Sequence, residues 1–362
     1  MRISVPAEIM NNENRVALSP HAVETLTNDG HEVFIQAGAG QGASFTDQDF
    51  AQAGATIVNT AEATWSKAEL LLKVKEPLES EYKYLRDDLT IFAYFHLAAN
   101  RELAEKLTET GTTAVAYETV TDSRGTLPLL TPMSQVAGRL AVIEGSHHLM
   151  STQGGRGLLP SGVPGTQAAR IVVIGGGQVG ASAVAMAHGL RAEVTVLDLD
   201  PKVLQRFDDE YHGTVRTQIS DPATLEAELL EADLVIGAVL VPGASAPKLV
   251  QEDTVRRMKP GAVLVDVAID QGGCFENSHK TDHDAPTFKV HDTLFYCVAN
   301  MPGAVANTST RALTSATLPY VRAIAEDGLD GAIERHAGLK PGVMTRGGDL
   351  VSEPVRGALD WD

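Results

Sequence analysis

The run Gly175-Gly176-Gly177-Gln178-Val179-Gly180 stands between a short apolar stretch, Ile171-Val172-Val173-Ile174, and a segment of helical composition. In that setting Gly175 permits a tight strand-to-helix turn, Gly177 lets backbone approach a pyrophosphate, and Gly180 lets the helix pack close to the strand. The helix start at Gln178 and Val179 offers unpaired N–H groups and a positive dipole end to phosphate oxygens. Asp198, eighteen residues after Gly180, closes the next β-branched run, Val194-Thr195-Val196-Leu197. A carboxylate there accepts hydrogen bonds from ribose hydroxyls and repels a 2′-phosphate, so the expected cofactor is NAD and not NADP. A purely structural glycine turn leaves the acid unexplained.

Five other polar residues stand at or beyond the ends of apolar runs. Arg15 follows the first strand, at the C-terminal edge of an expected parallel sheet, where a guanidinium can grip a carboxylate through two parallel hydrogen bonds. The competing reading is a surface ion pair. Lys73 and Lys75 close Leu71-Leu72-Lys73-Val74-Lys75, and period-2 alternation puts both on one face of an extended segment, either a solvated edge or a substrate contact. His96 ends Ile91-Phe92-Ala93-Tyr94-Phe95, the most aromatic run in the chain. An imidazole there is either a satisfied core residue or an acid/base, since it titrates near neutrality. Asp270 lies three residues past another apolar strand, and reads as a second polar group that binds water or ammonia and relays protons; Asp266, inside that strand, reads as structural.

Strand–helix alternation must position these groups. Strands are expected at Arg2 to Val5, His31 to Gln36, Leu70 to Val74, Leu89 to His96 and Thr113 to Thr119. A helix opens at Ser19-Pro20, and a long one covers 132–150. A loop, 151–165, with five glycines and two prolines leads into the glycine-motif strand. Further strands follow at Val194 to Leu197, Leu234 to Val239, Val263 to Val267 and Leu294 to Val298. The last block, from about Thr310 to Leu329, is helical with no evident strand partner. The fold class is therefore α/β: two doubly wound, parallel-sheet, Rossmann-like domains facing a cleft, with a C-terminal helical segment returning to the first. The expected division is 1–130 for the first part of a substrate domain, 131–307 for the dinucleotide domain and 308–362 for the returning segment.

With 362 residues the chain suits two domains rather than one. Its net charge of −18 disfavours nucleic acid and anionic membrane as partners. No apolar run approaches the roughly 18 residues of a membrane span. No basic segment with an apolar core opens the chain, so export is not expected. Cys274 and Cys297 have no metal-ligand spacing and form no disulfide framework, and reduced cytoplasmic thiols are the expectation.

Longer runs carry a family resemblance. Asn11-Asn12-Glu13-Asn14-Arg15-Val16-Ala17, Leu71-Leu72-Lys73-Val74-Lys75-Glu76-Pro77, Phe95-His96-Leu97-Ala98-Ala99 and Pro132-Met133-Ser134-Gln135-Val136-Ala137-Gly138-Arg139 resemble the alanine dehydrogenases. So do Thr152-Gln153-Gly154-Gly155-Arg156-Gly157, the stretch from Val235 to Gly243, that from Asp266 to Cys274, and that from Tyr296 to Pro302. The resemblance covers nearly the whole chain. It implies reversible oxidative deamination of L-alanine to pyruvate and ammonium with NAD, by a homo-oligomer, usually a hexamer. It implies Arg15 and Lys75, not Lys73, as substrate ligands, and His96 as general acid/base, with Asp270 also catalytic. Which of the last two carries the proton stays open at this point. The nucleotide contacts expected on this pattern are Ser134, Gly175, Gly177, Gln178, Val179, Gly180, Asp198, Ser220, Val239, Leu240, Val267, Ala268, Ile269, Asp270, Val298, Ala299, Asn300 and Met301.

The chain also departs from the family. Val203 and His279 stand where relatives often carry basic residues; Val203 removes a cation near the adenosine end, which either weakens NAD binding or shifts the contact to Lys202. Ala323 and Asp327 replace a Glu and a His that serve elsewhere as divalent-metal ligands, so no metal is expected. Two other classes compete: the nucleotide-binding domain of a transhydrogenase α subunit, and a non-catalytic NAD-binding regulator. The first has no use for the Lys75 and His96 pair, and the second no reason to keep polar groups at strand mouths. Glycine and serine stay open as further substrates.

Overall fold

The computed structural model describes residues 1–239 and 246–361, which divide into two compact units: Met1–Met133 with Gly303–Asp362, and Ser134–Pro302. In the first unit six parallel strands run in sequence: β1 (Arg2–Val5), β2 (Glu32–Gln36), β3 (Thr56–Val58), β4 (Leu70–Leu72), β5 (Thr90–Ala93) and β6 (Thr113–Ala116). Their side chains are apolar on both faces because helices cover both, and Ile3, Ile35, Leu70, Leu72, Ile91 and Phe92 are wholly buried. Helix Pro20–Asn28 begins where the sequence puts it: Ser19 caps the Ala22 N–H, Pro20 occupies the first turn, and Ala22, Val23 and Leu26 face the core. The short helix Asp47–Gln52 is started by a reciprocal Thr46–Asp49 capping box.

The second unit has seven strands: β7 (Arg170–Ile174), β8 (Glu193–Asp198), β9 (Arg216–Ile219), β10 (Leu234–Gly237), β11 (Val263–Asp266), β12 (Thr287–Val290) and β13 (Thr293–Tyr296), in the order β12-β13-β11-β10-β7-β8-β9. All neighbours pair in parallel except β12 and β13, a hairpin. The chain reverses direction across the sheet between β7 and β10, which places the glycine turn after β7 at the topological switch point. Inside this unit, helix Thr131–His148 passes so close to the glycine-motif helix that a Cβ on Gly138 would stand 2.1 Å from the Val179 carbonyl oxygen.

The C-terminal return to the first unit brings more than a helix. Helix Ala306–Arg335, broken by the non-helical Gly328, buries Leu313, Val321 and Ile324 in the same core as Ile3, Val16 and Val23. It is followed by β14 (Val343–Arg346) and β15 (Asp349–Leu350), and β14 pairs antiparallel with β6. The full order is β15-β14-β6-β5-β4-β1-β2-β3, the expected parallel-dominated sheet with two antiparallel strands added at one edge. β14 escapes the sequence reading because four residues carry too little periodicity, and its partner lies more than 200 residues away. Both sheets are thus parallel-dominated with antiparallel edges.

Several expected strands also run too long. The Leu89 to His96 run ends as a strand at Ala93, Leu70 to Val74 at Leu72, and Thr113 to Thr119 at Ala116, after which Tyr117–Thr119 form a 3-10 turn. Val74, Tyr94, Phe95 and Tyr117 remain buried beyond the last ladder pair. Apolar content follows burial, not sheet pairing, so it overshoots the strand ends.

Candidate functional site

In the first unit, Arg15, Lys75 and His96 follow β1, β4 and β5, three adjacent strands in the order β5-β4-β1. The chain passes from β1 to β2 on one side and later returns to place β4 on the other. The three groups therefore stand at the C-terminal ends flanking this sheet's switch point, where open α/β sheets bind ligands.

The Arg15 loop is held by the returning helix, because the Val16 N–H donates to Thr310 Oγ1 at 3.1 Å and Thr314 Oγ1 donates to the Ala17 carbonyl. Arg15 is not the surface ion pair of the competing reading. It is 3% exposed and donates Nε–H and an Nη2–H to the two Glu13 oxygens at 2.7 and 2.5 Å, so the two-point carboxylate grip is used within the chain. Its Nη1 edge meets Met133 Sδ at 3.1 Å, a weak acceptor. Burial works against the guanidinium charge, but Glu13 outweighs it and raises the pKa of Arg15 above the ordinary range.

Lys73 and Lys75 do not share a face. β4 ends at Leu72, so alternation lapses before either lysine. Lys73 is 1% exposed, with its Nζ donating to Glu8 at 3.0 Å and Glu81 at 3.1 Å, a buried triad that holds the loop ends together. Burial opposes its charge and the two carboxylates more than restore it. Lys75 lies in the following bend, half-buried, with Glu76 beside it.

His96 is not a strand residue. It follows the sheet in a left-handed conformation (φ 47°), rare for a non-glycine residue, and starts the 3-10 turn Leu97–Ala99. Glu118, in the turn after β6, accepts the His96 N–H at 2.7 Å and the Phe95 N–H as well, and so fixes that conformation. The ring stacks on Tyr94, whose hydroxyl donates to the Leu129 carbonyl at 2.6 Å, and Nδ1 faces Glu76 Oε2 at 3.6 Å. The sequence reading passes over Glu13, Glu76 and Glu118. Each is an acid just beyond an apolar strand or beside a catalytic candidate, and that placement is the signal that could mark them.

In the second unit the glycine turn has the geometry its residues require. Gly175 lies at φ 96°, and a Cβ on Gly180 would sit 1.8 Å from the Gly175 carbonyl oxygen. A Cβ on Gly177 would meet nothing within 4 Å, so the backbone there is open to a ligand. Gly177 caps helix Gln178–Gly189 without any side-chain hydrogen bond, leaving the first N–H groups for a phosphate. Asp198 accepts the Gly176 N–H at 2.7 Å and the Asp200 N–H at 2.9 Å, which spends two of about four lone-pair positions and leaves others for hydroxyls. Ser220, the residue after β9, donates its N–H to the Asp198 carbonyl. These residues fit a dinucleotide. Gly180→Ala is expected to abolish cofactor binding or folding outright, read by NADH fluorescence titration and thermal melting; near-normal binding would contradict the close approach.

The remaining expected contacts lie on the neighbouring loops. Val239 abuts Gly175, while Leu240 falls outside the described residues. Val267, Ala268, Ile269 and Asp270 form the 3-10 turn after β11, and Val298 to Met301 follow β13 with Asn300 left-handed. Ser134 is half-buried in helix Thr131–His148. Asp270 is exposed, 4.0 Å from Lys280. Asp266 is structural as expected: it is buried and accepts from the Ala268, Cys274 and Phe275 N–H groups and the Ser278 hydroxyl. Val203 packs on the Gly176 backbone, and His279 stacks on Phe288 at 3.7 Å. In the C-terminal helix Ala323 is buried and Asp327 pairs with Arg335.

Two domain models match this chain: alanine dehydrogenase/PNT, N-terminal domain, over residues 4–137, and alanine dehydrogenase/PNT, C-terminal domain, over residues 141–353. The chain belongs to the alanine dehydrogenase/PNT family. Within it, the chain is 56% identical to the alanine dehydrogenase of Mycolicibacterium smegmatis over 99% of its own length and 97% of that protein. It is 49% identical to that of Bacillus subtilis over 100% and 96%. A solved L-alanine dehydrogenase superposes with a TM-score of 0.96 at 48% identity over 99% of both chains. A transhydrogenase from Sinorhizobium meliloti superposes at 0.86 with 26% identity, covering 97% of this chain and 100% of its own. No helix among the described residues is long and apolar enough to cross a membrane.

Proposed function

We propose that this chain catalyses the reversible oxidative deamination of L-alanine to pyruvate and ammonium with NAD. The observation that carries the reading is the set of Arg15, Lys75 and His96 at three adjacent strand ends beside a switch point, in a chain 56% identical to a protein named alanine dehydrogenase. Arg15 and Lys75 supply cations for the substrate carboxylate. A carboxylate oxygen outcompetes the Met133 sulfur at the Arg15 Nη1 edge. Held by the Gly175–Gly180 turn with Asp198 at its ribose, NAD would supply the acceptor for the hydride lost from the alanine Cα. His96 takes a proton from the water that attacks the resulting imine carbon and returns it to the nitrogen; as the C–N bond breaks, the carbinolamine hydroxyl becomes the pyruvate carbonyl and its proton leaves with the nitrogen as ammonium. In the aminating direction Lys75 polarises the pyruvate carbonyl. Asp270, exposed on the nucleotide unit, keeps a secondary proton role in this reading, and self-association into a homo-oligomer belongs to it.

The transhydrogenase alternative is less well supported, since identity falls from 48% to 26% between the two structural matches and both Lys75 and His96 are present. The test is absorbance at 340 nm with L-alanine and either NAD or NADP, with glycine and serine alongside. Reduction of NAD with alanine, at far higher kcat/KM than with NADP, is the expected result; comparable efficiency with both cofactors would refute the role of Asp198. Asp198→Ala is expected to narrow the gap, because it removes the charge that repels a 2′-phosphate. No reduction of either cofactor by any of the three amino acids would overturn the reading as a whole.

A further inference from the structure

We propose that Glu76 is a positioning residue for His96: its carboxylate takes the Nδ1–H, so that Nε2 carries the lone pair that accepts the proton. The inference rests on His96 as acid/base. Glu76 Oε2 is buried and has no hydrogen-bond partner in the protein, while its nearest ion-pair partner is His96 Nδ1 at 3.6 Å. A buried carboxylate oxygen left without a donor is costly, and about half an ångström of ring movement brings the pair into hydrogen-bond range. Hydrogen bonds of this kind tighten when substrate is held.

The backbone restricts how His96 can respond. Glu118 and the left-handed φ hold its main chain, and Tyr94 stacks on the ring, so the ring is braced against reorienting away from Glu76. Glu76 is itself restricted to extended backbone, as Pro77 follows it. Burial acts to raise the Glu76 carboxyl, but the His96 ring, a backbone amide and Lys75 outweigh it, and the group lies below the ordinary carboxylate range. It is therefore charged at neutral pH. The other groups around the pair are Glu118, at the His96 backbone, and Tyr82, whose phenol is pushed up by burial and by the charges of Glu102, Glu79 and Glu76. A carboxylate on Nδ1 both selects the tautomer and stabilises the imidazolium formed when the Nε2 site accepts a proton.

The test compares Glu76→Gln with the unmodified enzyme across pH in alanine oxidation. The amide still accepts from Nδ1 but has lost the charge. The acid limb of the kcat/KM profile is expected to move to lower pH by about half a unit to one unit, since a half-exposed imidazole feels a screened partner. KM for alanine should change little. Nitrogen NMR of the imidazole should report the Nδ1–H tautomer in the unmodified enzyme and a mixture in Glu76→Ala. His96→Gln is measured in parallel. If His96→Gln keeps the limb, His96 is not the titrating base and the underlying reading fails. If His96→Gln removes the limb while the Glu76→Gln profile superimposes on the unmodified one, only the Glu76 assignment fails. Should Glu76→Gln not fold, Glu76→Asp and the NMR tautomer decide, and an Nε2–H tautomer in the unmodified enzyme sinks the proposal.

Discussion

Replacing His96 with alanine is expected to lower kcat for alanine oxidation by about 10²–10⁴-fold, the usual contribution of a positioned acid/base. NADH affinity should be unchanged, because His96 belongs to the first unit and the glycine turn to the second. Stability should change little, since the side chain is about half exposed and its main structural tie is the backbone N–H to Glu118, which alanine retains. The backbone cost is the left-handed φ, which alanine tolerates less well than histidine, asparagine or glycine. Glycine at this position is therefore the control: His96→Gly should lose the same kcat with no backbone strain. Stopped-flow and steady-state kinetics across pH check this. Near-normal turnover in His96→Ala together with loss in Asp270→Asn would move the proton role to Asp270.

The second large effect separates two lysines two residues apart. Lys73→Ala removes the cation from a buried triad and leaves Glu8 and Glu81 facing each other away from water, a loss of about 3–5 kcal/mol. The melting temperature should fall by roughly 10 °C, while the folded fraction keeps its kinetic constants. Lys75→Ala should leave the melting temperature within a few degrees, raise KM for alanine and pyruvate, and lower kcat, because its charge both holds the carboxylate and polarises the carbonyl. Differential scanning calorimetry and kinetics on both variants give the answer. If Lys73→Ala melts normally and Lys75→Ala unfolds, the burial pattern has been assigned to the wrong residue.

The nucleotide turn is the part most legible in the residues alone. Gly175, Gly177 and Gly180 are each required for a local reason: a positive φ, an open backbone face, and a contact within one turn of the same segment. Asp198 is one strand away, so its tie to the Gly176 N–H also follows from a short-range pattern. Such features involve residues near one another in the chain, and types and spacing suffice to state them. The α/β alternation is readable for the same reason, as are the Ser19 cap and the placement of Arg15, Lys75 and His96 beyond apolar runs.

What those three side chains meet is another matter. Arg15 is paired with Glu13, while the backbone of the next two residues, Val16 and Ala17, is held by Thr310 and Thr314, nearly 300 residues on. Lys73 is buried and Lys75 is not because Glu8, from the loop after β1, reaches across a neighbouring strand, and Glu81 follows in the next turn. The left-handed His96 depends on Glu118 from β6's turn, and β6 itself gains an antiparallel neighbour from the end of the chain. The residue types and their periodicity determined which segments are strands, where the glycines must bend and which strand ends carry charge. Only the tertiary structure decided which charges neutralise each other, since in a buried setting a group's partner is set by three-dimensional proximity, and proximity between distant segments leaves no mark on local composition.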